Sequence, residues 1–207
     1  MTSVRAQNAR HLGRSFLKDS DGAVAIELAM VSVPFLTMMF AVINTGMFFF
    51  AINCLDRGME DASRYIRTGE AQGGKVAGYA GSTGQGMTAA QFKKLVCDRA
   101  SGYIDCTKLE ITIQSSTDAN GGWANINPTV CMANGSLTTG NVPANANPNV
   151  GPTISGIAGT QGAVVLITAC YKWEMGRYLP FVHFDRRFTD GSSLIQSSTA
   201  LRIEPYT

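Results

Sequence analysis

The chain has 207 residues, 45% of them hydrophobic and 15% charged, with a formal charge of +2. That length admits one membrane helix and one modest folded domain. The near-neutral balance, with no basic stripe, gives no reason to expect nucleic-acid binding and supplies no Lys/Arg-rich face for a membrane surface.

The first 22 residues are polar, with Arg5, Arg10, Arg14 and Lys18 set against Asp19 and Asp21. From Leu28 to Ile52 the chain is nearly uninterrupted apolar sequence, with Asn44 its only amide and no charge. A helix of ~20 such residues spans a bilayer core. A secretory signal has an apolar region of only ~7–15 residues followed by its cleavage site. This run is longer, so it reads as an anchor that survives processing. Positive charge beside a span stays on the cytoplasmic side. The N-terminus is therefore expected in the cytoplasm, with the C-terminal bulk outside the inner membrane. A generic single-pass protein would share this orientation.

Gly22-Ala23-Val24-Ala25-Ile26-Glu27-Leu28 leads into the apolar run. It puts one carboxylate at the start of a membrane-length helix. A mid-bilayer charge costs ~2.5–3.5 kcal/mol on insertion scales, and intramembrane charges are functional by default. A carboxylate near a helix N-terminus is favoured by the dipole, by ~0.3–1 kcal/mol at exposed sites. Pro34 lies within the same segment and removes a backbone hydrogen bond, which neighbouring groups make tolerable in a membrane. Ala25 and Ala29 give a small-xxx-small pair suited to close helix contact.

The helix is expected to continue past Ile52. Leu55, Met59, Ala62 and Ile66 form a helical stripe, with charged residues on the other faces. Glu60 and Arg64 suit an i, i+4 ion pair, and Gly69 is a plausible stop. From Ala25 to about Thr68 such a helix would be ~65 Å long. A plain stalk helix would read the same way. Residues 69–87 are glycine-rich, contain no phosphate-binding pattern and read as a mobile connection.

Thr88 with Gln91 makes a capping box. It opens a short amphipathic helix, about 89–101, suggested by Phe92, Leu95, Val96 and Tyr103. Leu109, Ile111 and Ile113 alternate with polar residues as a half-buried strand does. Residues 117–162 are rich in Asn, Gly, Pro and Thr and read as one long loop. Ala163–Trp173 and Leu194–Ile203 read as a second and third strand. The expected fold class is α+β: a long N-terminal transmembrane helix, then a small domain with a short helix and an antiparallel three-stranded sheet. The expected divisions are a leader 1–22, a helix 23–69 and an extracytoplasmic domain 70–207.

Of five cysteines, Cys97, Cys106, Cys131 and Cys170 follow the span, on the side where disulfides persist. Four cysteines allow three pairings, and sequence does not decide among them. Proximity favours Cys97 with Cys106, leaving Cys131 with Cys170. Cys54 is left over and reads as a free, helix-packed thiol. The spacings match no zinc site. His11 and His183 are the only histidines, and no nucleophile–base motif is present. No catalytic residue, metal or cofactor is expected.

The chain resembles TadE-like minor pilins (pseudopilins) of tight-adherence, or Tad/Flp, pilus systems. The resemblance rests on Gly22 to Leu28, on Pro34 and the apolar run, and on Ala62-Ser63-Arg64-Tyr65-Ile66-Arg67-Thr68-Gly69. Cys97 and Cys106 sit like that family's cysteine pair. Tyr171-Lys172-Trp173 and Arg202-Ile203-Glu204-Pro205-Tyr206 resemble its closing strands. Leu28 departs from the aromatic residue commoner beside the glutamate, and Glu174-Met175-Gly176 departs from a proline-bearing turn. The resemblance implies cleavage by a prepilin peptidase between Gly22 and Ala23, with Glu27 fifth in the mature chain. It implies a subunit that helps initiate, prime or cap a pilus. Its partners would be other pilins or pseudopilins of the same system, the inner-membrane assembly platform and membrane lipid. Glu27 and Pro34 would be the assembly residues. The alternative is a single-pass, membrane-anchored periplasmic binding or scaffold protein that enters no pilus.

Overall fold

The computed structural model describes residues 21–79, 86–100, 102–116, 122–123, 126–142, 151–178 and 188–206. His11 and His183 lie outside them. The chain divides into two compact units, Met1–Ile43 and Asn44–Thr207. Helix α1 (Asp21–Arg67) has 47 residues and contains Pro34. Its stop is set by Gly69, whose φ of 77° lies in the left-handed region. The Gly69 N–H donates to the Ile66 carbonyl at 3.2 Å, and the Ala71 N–H to that of Tyr65 at 3.0 Å. Carbonyls at the helix end thereby find partners.

In the second unit α1 buries the expected stripe. Leu55, Met59, Ala62 and Ile66 are all fully buried. Helix α2 (Ala89–Arg99) brings Phe92, Leu95 and Val96 into the same core. The two helices meet closely at Gly58, where a β-carbon would lie 2.7 Å from the Val96 carbonyl oxygen. The capping box at the start of α2 is complete: the Gln91 N–H donates to Thr88 Oγ1, and the Thr88 N–H to Gln91 Oε1. Glu60 and Arg64 do not form the ion pair their spacing suggests; both instead line a groove beside the third long strand.

The strands are β1 (Leu109–Ser116), β2 (Met132–Ala133), β3 (Ser136–Leu137), β4 (Val164–Trp173) and β5 (Ser193–Arg202). β1, β4 and β5 form the expected antiparallel three-stranded sheet, in that order. Ile111 pairs with Ala169, and Ala169 with Ser197. Alternation along the strands sends Ile111, Ile113, Val165, Ile167 and Ile195 into the core with α1 and α2. Cys170 and Leu194 belong to a separate cluster with Cys131 and Phe188.

Two regions are more ordered than their composition suggests. The segment read as one loop, 117–162, contains β2, β3 and a short helix, α3 (Ile154–Ala158). The turn between β2 and β3 is Asn134-Gly135, both at positive φ, which is hairpin turn chemistry. The segment is tied to the domain at both α2 and β1. Ala89 N–H donates to Pro152 at 2.9 Å, and Ile154 N–H to Met87 at 2.8 Å. Residues 69–87 are likewise packed in their described part. Ala71 and Val76 are buried, and the Met87 N–H donates to the Ala71 carbonyl at 2.7 Å. Small side chains there allow close backbone approach, which composition alone reads as looseness.

Candidate functional site

The described part of the first unit is a helical segment with its apolar side chains in the open. Ile26, Leu28, Met30 and Phe35 are each more than 60% exposed. A continuous exposed apolar surface of this kind marks a membrane or a partner. Its hydroxyls are turned back onto the helix: Ser32 Oγ donates to the Ala29 carbonyl at 3.1 Å and Thr37 Oγ1 to the Pro34 carbonyl at 2.8 Å. Hydroxyls satisfied within their own helix are compatible with hydrocarbon, where none can be left bare. The helix is long and apolar enough to cross a membrane. Glu27 is exposed on it and forms no ion pair among the described residues. Gly22 and Ala23 lie in the first turns of the same helix.

The second unit holds the cysteines. Cys97 is bonded to Cys106 and Cys131 to Cys170, while Cys54 is free and buried. The first bridge ties the end of α2 to the approach to β1. The second fixes the 117–162 segment to the middle strand of the sheet.

Three polar arrangements surround this core. Lys93 Nζ is buried 4.0 Å from Glu110 Oε1. Burial pushes the Lys93 ammonium down, and the Glu110 charge offsets part of that. Lys172 pairs with Asp190 at 2.7 Å, and Asp190 also accepts from the backbone and hydroxyl of Ser192. The Lys172 contact, with Ser192, holds the Asp190 carboxyl well below the usual range. Asp98 accepts from Lys94 at 2.6 Å and from the Tyr79 hydroxyl. These bonds hold the Asp98 carboxyl down, and the bond to Asp98 raises the Tyr79 phenol.

A cavity of about 350 Å³ is lined by Met47, Tyr103, Tyr171, Trp173 and Met175, with the Lys108–Glu174 ion pair at 2.6 Å among its walls. The Tyr103 and Trp173 rings stack at 6.2 Å, and Phe50 meets Tyr103 edge-on at 5.0 Å. Among the described residues, no three His, Cys, Asp or Glu side chains gather as a metal site requires.

The sites expected from sequence thus fall into two sets. Gly22, Ala23, Glu27 and Pro34 share one helix segment. Cys97, Cys106, Cys131 and Cys170 brace the folded domain. An apolar helix segment carrying Glu27 precedes a disulfide-bonded α+β domain in the chain. Residues 22–64 match the family described as TadE-like protein. The match begins at Gly22, includes Glu27 and Pro34, and ends within the last turn of α1. It points to a protein associated with Tad pili. The sheet and its disulfides lie beyond it, and no curated protein or solved structure matches the chain.

Proposed function

We propose that the chain is a minor pilin or pseudopilin that helps initiate, prime or cap a Tad/Flp pilus. In this reading a prepilin peptidase cleaves between Gly22 and Ala23. The mature helix remains in the inner membrane with its domain in the periplasm until it joins other pilins at the assembly platform. It works by packing and carries out no catalysis.

The observation that supports this most is the family match over residues 22–64, with Glu27 exposed on an otherwise apolar stretch of helix. After cleavage Ala23 would carry a new α-amine. Glu27 would pair with the amine of a neighbouring subunit, relieving the charge that burial in lipid penalises. That pairing would set the register of each incoming helix. Pro34 would leave the carbonyl four residues earlier without its backbone donor, giving the helix a point of adjustment during packing.

The test is the N-terminal sequence of the membrane-extracted protein from cells with and without the prepilin peptidase. A start at Ala23 only when the peptidase is present is the expected result. A Met1 start in both would leave a membrane-anchored scaffold or binding protein instead.

A further inference from the structure

The apolar run does not stop where the first unit ends. Phe48, Phe49, Phe50 and Ile52 belong to the second unit, whose first residue is Asn44. A helix needs ~20 residues to cross the hydrocarbon of a bilayer, which, counted from Leu28, brings the outer boundary to about Met47. With α1 anchored in a membrane, these phenylalanines stand where hydrocarbon gives way to headgroups. Phe49 is 56% exposed and Phe50 54%.

The folded domain brings its own aromatic residues to this level. Phe48 meets Trp173 edge-on at 6.3 Å, and Phe50 meets Tyr103 in the same way. Trp173 ends β4, and Tyr103 lies between α2 and β1. Both line the cavity of about 350 Å³, and Met175, partly exposed, is in its walls. Tyrosine and tryptophan collect at membrane–water interfaces, where an apolar ring with a polar handle is suited to both sides.

Two further features select the chemistry of the occupant. The Trp173 indole N–H is buried and has no acceptor among the described residues. Such a donor lowers stability unless an acceptor comes from outside the chain. The cation in the cavity wall, Lys108, is already taken, by Glu174 at 2.6 Å and by Asp105 at 3.2 Å. Apolar walls, a donor wanting an acceptor and a neutralised cation suit the ester-linked upper part of a lipid chain. A lipid phosphate would call for a free cation.

We propose that Tyr103, Trp173 and Met175 form a lipid seat in the outer interfacial layer of the bilayer, with the glycerol-ester region of a phospholipid in the cavity. This rests on α1 spanning the membrane, and it goes further: the folded domain meets the bilayer through one particular face and does not stand off on its helix.

The test is the fluorescence of Trp173 in the membrane-extracted chain reconstituted into phosphatidylcholine vesicles. Trp123 is exposed, and Trp123→Phe leaves Trp173 as the only tryptophan. Lipids carrying bromine high on the acyl chain should quench it strongly, and lipids brominated near the chain's methyl end should quench it less. Met175→Glu puts a charge at the seat, which lipid penalises. It should remove most of the quenching, with the melting temperature unchanged. Absent quenching, stronger quenching from the deep bromines, or quenching indifferent to Met175→Glu in a normally folded chain would each overturn the proposal. So would quenching that vanishes as the protein-to-lipid ratio rises, because a second copy would then cover the face. Alkaline extraction of the same vesicles reports the anchor separately. A chain that resists extraction but is not quenched overturns the seat alone, whereas a chain released by alkali overturns the membrane-spanning reading with it.

Discussion

The ring of Tyr206 lies over Gly69, in the space that a β-carbon would fill. Gly69 ends α1 at positive φ, and the segment after β5 returns to that same point. There the Glu204 N–H donates to the Arg67 carbonyl at 2.8 Å, and the Glu204 carboxylate pairs with Arg67 at 3.5 Å. The stop of the long helix and the end of the sheet are therefore one structure. Gly69→Ala should lower stability by about 2 kcal/mol, through the left-handed backbone and the displaced ring together. Denaturant unfolding of the detergent-extracted chain measures it. Tyr206→Ala in the same chain should recover the steric part. If the double variant loses as much as the sum of the two single variants, ring and glycine are not coupled.

Acid should weaken the domain through Asp190. Its carboxyl is held below the ordinary value of 3.8 by Lys172 first and Ser192 next. A carboxyl lowered by folding contributes stability that is complete above its unfolded value and is lost as pH falls through the folded one. The melting temperature should be flat between pH 7 and about pH 5, then fall below about pH 4. Asp98 and Asp105 are lowered too and act in the same window. Asp190→Asn should therefore flatten the acid limb in part, by no more than about 1 kcal/mol for a pair this close to solvent. An unchanged limb would show that the Lys172 contact carries no net stability.

The two disulfides should differ in value. Cys97–Cys106 closes 9 residues and Cys131–Cys170 closes 39. In the chain-entropy model these loops correspond to about 2.5 and about 4 kcal/mol. Replacing Cys131 and Cys170 by serine should thus lower the melting temperature more than replacing Cys97 and Cys106. The larger loss has a local cause as well, because the Cys131 bridge holds β2 and β3 against the sheet. The reverse order would mean that the 117–162 segment stays docked through its hydrogen bonds alone.

What the sequence revealed followed its periodicities. The stripe Leu55, Met59, Ala62, Ile66 and the alternation Leu109, Ile111, Ile113 each record burial on one face, and both elements formed with their bounds within a few residues. The capping box at Thr88 and Gln91 was legible because its chemistry is local. The hairpin at Asn134-Gly135 carried a local signal too, but its strands are two residues each and too short for alternation to register. The docking of residues 69–87 was hidden for another reason: Ala71 and Gly86 pack by being small, and nothing periodic marks that. The direction in which the β5 backbone groups face was not legible at all. Which backbone groups point outward depends on register with β4, a relation between residues 20 to 38 apart in the chain.

Glu27 gives the sharpest test of the helix. It is the one acidic residue between Ala23 and Cys54, and it stands exposed among apolar neighbours. If its partner is the α-amine of an adjacent mature subunit, its charge matters after cleavage and not for cleavage. Glu27→Ala should leave the mature mass unchanged while lowering incorporation into pili about tenfold, the value of ~1.4 kcal/mol. Gly22→Glu should instead block the cut and leave the chain ~2 kDa heavier, the mass of a short leader. Mass spectrometry of the membrane fraction and of sheared pili separates the two effects. Normal piliation by Glu27→Ala would remove the pairing role, since a carboxylate dispensable for assembly has no reason to bear its cost in the membrane.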